Sequence, residues 1–249
     1  MANRRFLIIS DVHANMEALS AVLRAVSRRR YDKAICLGDL VGYGANPDGV
    51  VSRLRKIPRM VIVRGNHDKV AAGLASPENF NAAAKRSAEW TASKLSKENL
   101  AFLRRLPQGP VELGEGITIC HGTMVDEDAY LFSDYDAYEI FKCCAFDVCF
   151  FGHSHYPCAF KQAGGSIEFI QLRGESHELI LEKGARILIN PGSVGQPRDR
   201  NPLASFGEYY PDSRRFVLKR VSYAMEKARM KIIKAGLPEN LGNRLLAGT

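Results

Sequence analysis

An α/β fold is the prediction for this chain, and three observations carry it. Short apolar runs alternate with stretches of helical period through the first third of the chain. The runs stop abruptly at Ser10-Asp11, Gly38-Asp39 and Gly65-Asn66, polar and glycine steps that end strands. The resulting strand-helix-strand-helix-strand order implies parallel pairing through crossover connections.

Residues 6–10 form the first strand, and a helix follows over 16–28 with Ala18, Leu19, Val22, Leu23 and Val26 on one face. A second strand covers 34–37. Pro47, at a first helical position, opens a short helix to residue 55, and a third strand covers 60–63. A longer helical region over 79–106 closes at Pro107 and Gly109. Strands return at 111–113, 117–120 and 148–151, with a helix at 135–144 between the last two. Residues 159–172 read as a hairpin turning at Gly164-Gly165. Further strands at 186–189, 204–209 and 215–221 precede an amphipathic helix over 222–234, which stops at Gly236 and Pro238. No repeat, linker or low-complexity stretch divides the chain. One domain over 1–249 is expected, with a C-terminal helical extension at about 222–249.

At 249 residues and 46% hydrophobic content the chain buries a sizeable core without disulfide staples. Its six cysteines show no paired CxxC spacing, and Cys36, Cys120 and Cys149 lie in apolar runs. They read as free, buried or half-buried thiols, which fits a reducing compartment. The leading Met1-Ala2-Asn3-Arg4-Arg5 and its short apolar run are too brief for a signal peptide, and no stretch approaches membrane-spanning length, so a cytoplasmic location is expected. Net charge is +8, with clusters at Arg28-Arg29-Arg30 and from Lys227 to Lys234. Neither has interleaved aromatics, so both read as solvated helix faces rather than a track for long nucleic acid. The positive balance suits an anionic substrate.

The chemistry sits where the histidines fall. His13, His67, His121, His153 and His155 stand just after predicted strands, beside glycine or another polar residue. In open α/β sheets those C-terminal strand ends face the ligand crevice, so the five segments can converge. Asp11-x-His13 and His153-x-His155 each put two donors on one side of an extended segment. Carboxylate, amide oxygen and neutral imidazole suit manganese, iron, zinc or nickel, and no cysteine is placed to join them. Each motif alone has a plain reading as a turn, a cap or a strand-end histidine; their order and shared context argue jointly for a metal site. His177 matches no motif and is expected to be exposed.

Asp-x-His, Gly-Asp, Gly-Asn-His-Asp, His-Gly and Gly-His-x-His, in this order from residue 11 to 155, resemble the calcineurin-like metallophosphoesterase superfamily. With Asn190-Pro191-Gly192-Ser193 the likeness extends over most of the chain. The short length resembles its small bacterial and archaeal phosphodiesterase branch. The resemblance implies two mixed β-sheets packed as a sandwich and flanked by helices, with two metals at one end. It implies that Asp11, His13 and His155 hold one ion, that Asn66, His121 and His153 hold the other, and that Asp39 bridges them. No ligand position departs from the pattern. Two divalent cations about 3.5–4 Å apart activate a bridging water and neutralise phosphoryl oxygens during in-line displacement. Manganese is the favoured ion, with iron, zinc or nickel as alternatives. His67 is left to face the substrate, stabilising charge or protonating the leaving oxygen. Asp68 either orients it or stabilises the turn.

Substrate clues are fewer. Arg64 points either to phosphate or to solvent. Asn15 either donates to phosphate or, the better reading, caps the helix beginning near Met16. Tyr43, in the glycine-rich loop 42–47, either stacks a base or packs. Arg198, in the polar loop 195–202, either clamps phosphate bidentately or joins a surface network with Asp199 and Arg200. The leading expectation is a phosphodiesterase acting on a nucleotide-like or other small diester. A dinucleoside polyphosphate hydrolase or a phosphomonoesterase is the alternative, and a non-catalytic metal-binding scaffold ranks below both.

Overall fold

The first strand, β1 (Phe6–Ile9), sends Leu7 and Ile9 into one apolar core and Phe6 and Ile8 into another, and all four side chains are buried. A strand buried on both faces reads as an unbroken apolar run, and that is why its sequence shows no alternation. The computed structural model describes residues 4–28 and 30–249. Met1, Ala2 and Asn3 of the leading segment and Arg29 of the arginine cluster lie outside the described residues.

In chain order β1 is followed by α1 (Met16–Val26), β2 (Lys33–Cys36), α2 (Pro47–Arg55), β3 (Met60–Ile62) and α3 (Asn66–Ala71). Next come α4 (Ala82–Lys94), α5 (Lys97–Arg104), β4 (Val111–Gly114), β5 (Ile117–Ile119), α6 (Asp134–Cys143) and β6 (Val148–Phe150). The remainder is β7 (Cys158–Ala163), β8 (Ser166–Gln171), β9 (Ser176–Ile180), β10 (Arg186–Asn190), β11 (Ala204–Tyr210), β12 (Arg215–Val221), α7 (Met225–Lys234) and α8 (Glu239–Ala247).

Two mixed six-stranded sheets result, ordered β3-β2-β1-β11-β12-β9 and β4-β5-β6-β10-β7-β8. Within the first, β1, β2 and β3 are parallel; within the second, β5, β6 and β10 are parallel. Ile8, Ile35, Phe150, Ile189 and Phe216 fill the space between the sheets. Leu19, Val22, Val51, Leu103 and Ile232 cover the outer face of the first sheet, while Ile140 and Phe141 of α6 cover that of the second. The arrangement is helices, sheet, sheet, helix. Leu241 and Leu245 of α8 join the same core as α1, so the C-terminal helices pack against the sandwich.

Four local expectations need correction. The helical region over 79–106 is two helices, because Leu95 and Ser96 are extended and Ser96 caps α5 while its N–H donates to Asp48 at 2.7 Å. The helix expected from residue 222 begins at Met225, since β12 runs to Val221 and buried Tyr223 belongs to the core. The sequence showed no sign of β9, an edge strand pairing only β12, whose His177 is half-buried beside Leu218 rather than exposed. Of the cysteines, all six are free thiols, but Cys143 is exposed.

Candidate metal centre

The two sheets present the C-terminal ends of their parallel strands to one crevice. Loops after β1, β2, β5 and β6 carry Asp11 and His13, Asp39, His121, and His153 and His155; Asn66 opens α3 after β3. Backbone bonds hold these loops together. The N–H of His13 donates to Asp39 O (2.9 Å), that of Asp11 to Gly38 O (3.1 Å) and that of Gly152 to His121 O (2.8 Å). Across the sandwich Gly195 N–H reaches Asp11 O at 2.9 Å, and Ser193 Oγ donates to the same carbonyl at 2.8 Å.

Asp11, His13, Asp39, His153 and His155 all have φ between 46° and 65°, the left-handed region. A side chain there costs about 1–3 kcal/mol, tolerated where the surroundings over-determine it, and such residues cluster at functional sites. Gly65 permits the closest approach: a Cβ there would lie 2.1 Å from Asp39 Oδ1.

Three imidazoles are oriented alike. Nδ1 of His13, His121 and His155 each meets a backbone carbonyl, of Val41 (3.0 Å), Leu37 (2.7 Å) and Gln196 (2.6 Å). Those contacts set the proton on Nδ1 and leave Nε2 with its lone pair facing inward. Nε2 of His13 and of His155 then stand 3.0 Å apart, and His121 Nε2 lies 3.1 Å from Asn66 Oδ1. Asp39 Oδ2 is 3.5 Å from Nε2 of both His13 and His121. His155 Nε2 is 3.3 Å from Asp11 Oδ1. For His153 it is Nε2 that meets a carbonyl, Asp128 O at 3.1 Å, which leaves Nδ1 as its donor.

Two groups of donor atoms, one from Asp11, His13, Asp39 and His155 and one from Asp39, His121 and His153, each lie within 4.8 Å of one another. Asp39 belongs to both. Both oxygens of Asp11 are buried without a hydrogen-bond partner. Burial pushes the Asp11 carboxyl up to about 7, and burial with neighbouring Asp68 holds Asp39 well above the usual range. Burial lowers His153 to about 2 and holds His13 and His155 well below the usual imidazole value. Lone pairs aimed at lone pairs, dry carboxylates and neutral imidazoles fit cations, which convert each of these costs into a bond.

The other expected site residues fall as follows. His67 is buried and packs against Tyr43 (4.3 Å between ring centroids) and Phe80 (4.6 Å), and burial drives it down to about 3. Arg198 lies over the Tyr43 ring at 5.8 Å and bonds Gln196 through Nη2 at 2.9 Å; its Nε is buried and unpartnered. Asp199 turns to Arg220 instead of Arg198. Asn15 caps α1 by accepting from Ala18 N–H at 3.1 Å, and its amide donates to Gly195 O at 2.9 Å. Arg64 faces neither cleft nor open solvent: its Nε and Nη2 meet Glu127 at 2.9 and 2.8 Å. Asp68 accepts from Gly65 N–H (3.0 Å) and Val41 N–H (3.1 Å), so both its oxygens serve the turn.

Beside the donors lies a cleft of about 120 Å³ lined by His67, Arg198, Tyr43, Asn79, Phe80 and Tyr130 among others. Asn79, Phe80 and Tyr130 were not among the expected site residues: Asn79 and Phe80 were expected to be helical but precede the cap of α4 at Asn81, and Tyr130 stands in a loop.

A sandwich of this topology, gathering carboxylate and imidazole donors where its parallel strands end, is the architecture of the metallophosphoesterases. Residues 5–209 match the family model for the calcineurin-like phosphoesterase superfamily domain, and the chain belongs to that superfamily of metal-dependent hydrolases. It is 37% identical over 252 residues to the uncharacterized protein MJ0912 of Methanocaldococcus jannaschii, with 100% of both chains covered. The crystal structure of a metallophosphoesterase from Sphaerobacter thermophilus is similar with a TM-score of 0.89 and 35% identity over 100% of both chains. The hypothetical protein PH1004 from Pyrococcus horikoshii OT3 shares the fold, with a TM-score of 0.80 and 20% identity over 98% of each chain. Among the described residues no helix is long and apolar enough to cross a membrane.

Proposed function

We propose that the chain is a phosphodiesterase that works with two divalent ions, manganese being favoured and iron, zinc or nickel also suited to the donors. The observation that carries the reading is the 3.0 Å approach of the His13 and His155 Nε2 atoms beside the unpartnered Asp11 carboxylate. Asp11, His13 and His155 would hold one ion, Asn66, His121 and His153 the other, and Asp39, common to both donor groups, would join them. Such ions supply Lewis acidity and a nucleophilic water at neutral pH.

The protein's own groups do the rest. His67 is neutral at neutral pH, so its part is to donate an N–H hydrogen bond to a phosphoryl or leaving oxygen rather than to release a proton from an imidazolium. Arg198 is the sole Lys or Arg among the described residues lining the cleft, and its remaining N–H groups pair with phosphate oxygens. Beyond the two ions the lining holds this one cation, which serves a single phosphoryl group better than an extended polyphosphate chain. The free thiols suit a reducing compartment such as the cytoplasm.

The test is a panel of phosphomonoesters, cyclic and linear diesters and dinucleoside polyphosphates, assayed with manganese, zinc, nickel and magnesium in turn. Diesters should turn over fastest and only with added ion. Preference for monoesters or polyphosphates would overturn the substrate assignment, and metal-independent turnover would overturn the mechanism.

A further inference from the structure

Past the metal donors the cleft opens into a second cavity of about 270 Å³. The two spaces share Asn66, Asn79, Phe80, Tyr130 and His153, so a ligand whose phosphate sits at the donors has a continuous path into the annex. Two aromatic rings flank the passage. Phe80 lies against His67, its centroid 4.6 Å away at 37°. Tyr130 stacks on His153 at 4.0 Å and 20°, and Phe132 stacks at 5.0 Å and 14° from it.

Backbone bonds fix the segment that carries Phe80, and stacking on His153 and Phe132 supports Tyr130. Phe80 immediately precedes Asn81, whose side chain caps α4 by accepting from Ala84 N–H at 3.0 Å, and Phe80 N–H donates to Pro77 O at 3.0 Å. Tyr130 is 47% exposed and Phe132 59% exposed, large apolar surfaces to leave in water beside a polar site. The annex offers no free cation among its described lining residues: Lys69 is paired with Glu127 at 3.0 Å and with Asp128. A second phosphate there would meet the Asp128 carboxylate with no positive charge to spare.

We propose that this annex is the leaving-group subsite and that it selects a planar aromatic group, a nucleoside base or aryl ring, attached through its ester oxygen to the scissile phosphate. The position rests on His67 donating to the leaving oxygen: Phe80 packs on His67, and the annex begins at Phe80. The chemistry follows from the walls: Phe80 gives π surface, Tyr130, stacked with both His153 and Phe132, adds an aromatic edge, and Asn79 and Ser76 provide polar groups for a ring edge. The inference rests on the phosphodiesterase reading and narrows its substrate to aryl-bearing or nucleoside esters.

Binding of non-hydrolysable phosphinates, monoanions like a diester, separates the subsite from catalysis. Calorimetry on the manganese-loaded protein compares methylphenylphosphinate with dimethylphosphinate, in the wild type and in Phe80→Ala, Tyr130→Ala and Tyr130→Leu. The wild type should bind the phenyl compound about tenfold more tightly, as expected for one aromatic stacking contact. That ratio should fall toward one in each variant; Tyr130→Leu keeps an apolar side chain and guards against a folding defect. Equal affinities in the wild type, or a ratio untouched by all three substitutions, overturn the subsite while leaving the phosphodiesterase reading intact. Failure of both phosphinates to bind the wild type overturns that reading and the subsite with it.

Discussion

His13 and His155 face each other through Nε2 at 3.0 Å, each with Nδ1 turned to a backbone carbonyl. With both Nδ1 protons directed to carbonyls, the two Nε2 lone pairs face one another beside the Asp11 carboxylate, an arrangement that a cation would stabilise.

Metal should therefore stabilise the fold as well as activate it. An ion held at a hundred times its dissociation constant adds about 2.7 kcal/mol, which for a chain of this size raises the melting temperature by roughly 5–10 °C. Differential scanning calorimetry of chelator-stripped and manganese-loaded protein measures this. Identical melting temperatures would mean that the donors do not bind the ion.

His67→Ala should separate chemistry from metal binding. Its ring packs on Tyr43 and Phe80 and belongs to neither donor group. Turnover should drop by roughly 10²–10³-fold with metal content nearly unchanged. Parallel loss of metal and activity would make His67 a ligand.

Gly65→Ala tests how tightly the central carboxylate is confined. The residue has φ −102°, which any side chain tolerates, so the whole effect comes from crowding against Asp39 Oδ1 and N at 2.1 and 2.4 Å. Displacing that carboxylate should weaken metal affinity by at least about tenfold, a loss of roughly 1.4 kcal/mol, read by competition with a chromophoric chelator.

Acid stability has a source far from the metals. Burial works to raise the Glu208 carboxyl, but hydrogen bonds from Arg5, Tyr210 and Lys219 outweigh it and hold the group below its usual 4.5. A folded value below the unfolded one means stabilisation present above pH 4.5 and lost as pH falls through the lowered value. Glu208→Gln removes the buried carboxylate that Arg5 and Lys219 both meet and should cost about 3 kcal/mol near neutrality. The deficit should shrink below pH 4.5 in urea denaturation; a constant deficit would exclude the charge pair as its cause.

The parallel pairing of β1, β2 and β3 was legible because each is a mostly apolar run packed into the core and stopped by a polar turn. The convergence of Asp11, His13, Asp39, His121, His153 and His155 was legible for a related reason: strand ends in parallel sheets face the crevice, so motif and location coincided. What escaped was set by partners remote in sequence. The break at Leu95-Ser96 depends on Asp48, and β9 depends on an edge pairing with β12. Arg64 is drawn to Glu127, 63 positions away, through a loop whose course no local pattern reveals. Tyr130 and Phe80 line the cleft from non-helical segments, which is why those walls of the cleft appeared only in three dimensions.

The central claim is two ions sharing Asp39 and driving diester cleavage. Metal-free protein titrated with manganese, with bound ion counted and hydrolysis of bis(p-nitrophenyl) phosphate followed at each step, tests it most directly. The rate should climb until two ions are bound per chain, and Asp39→Asn should hold less metal and stay below about a hundredth of the wild-type rate. Full activity with a single ion, full activity in Asp39→Asn, or no hydrolysis with two ions bound would contradict it.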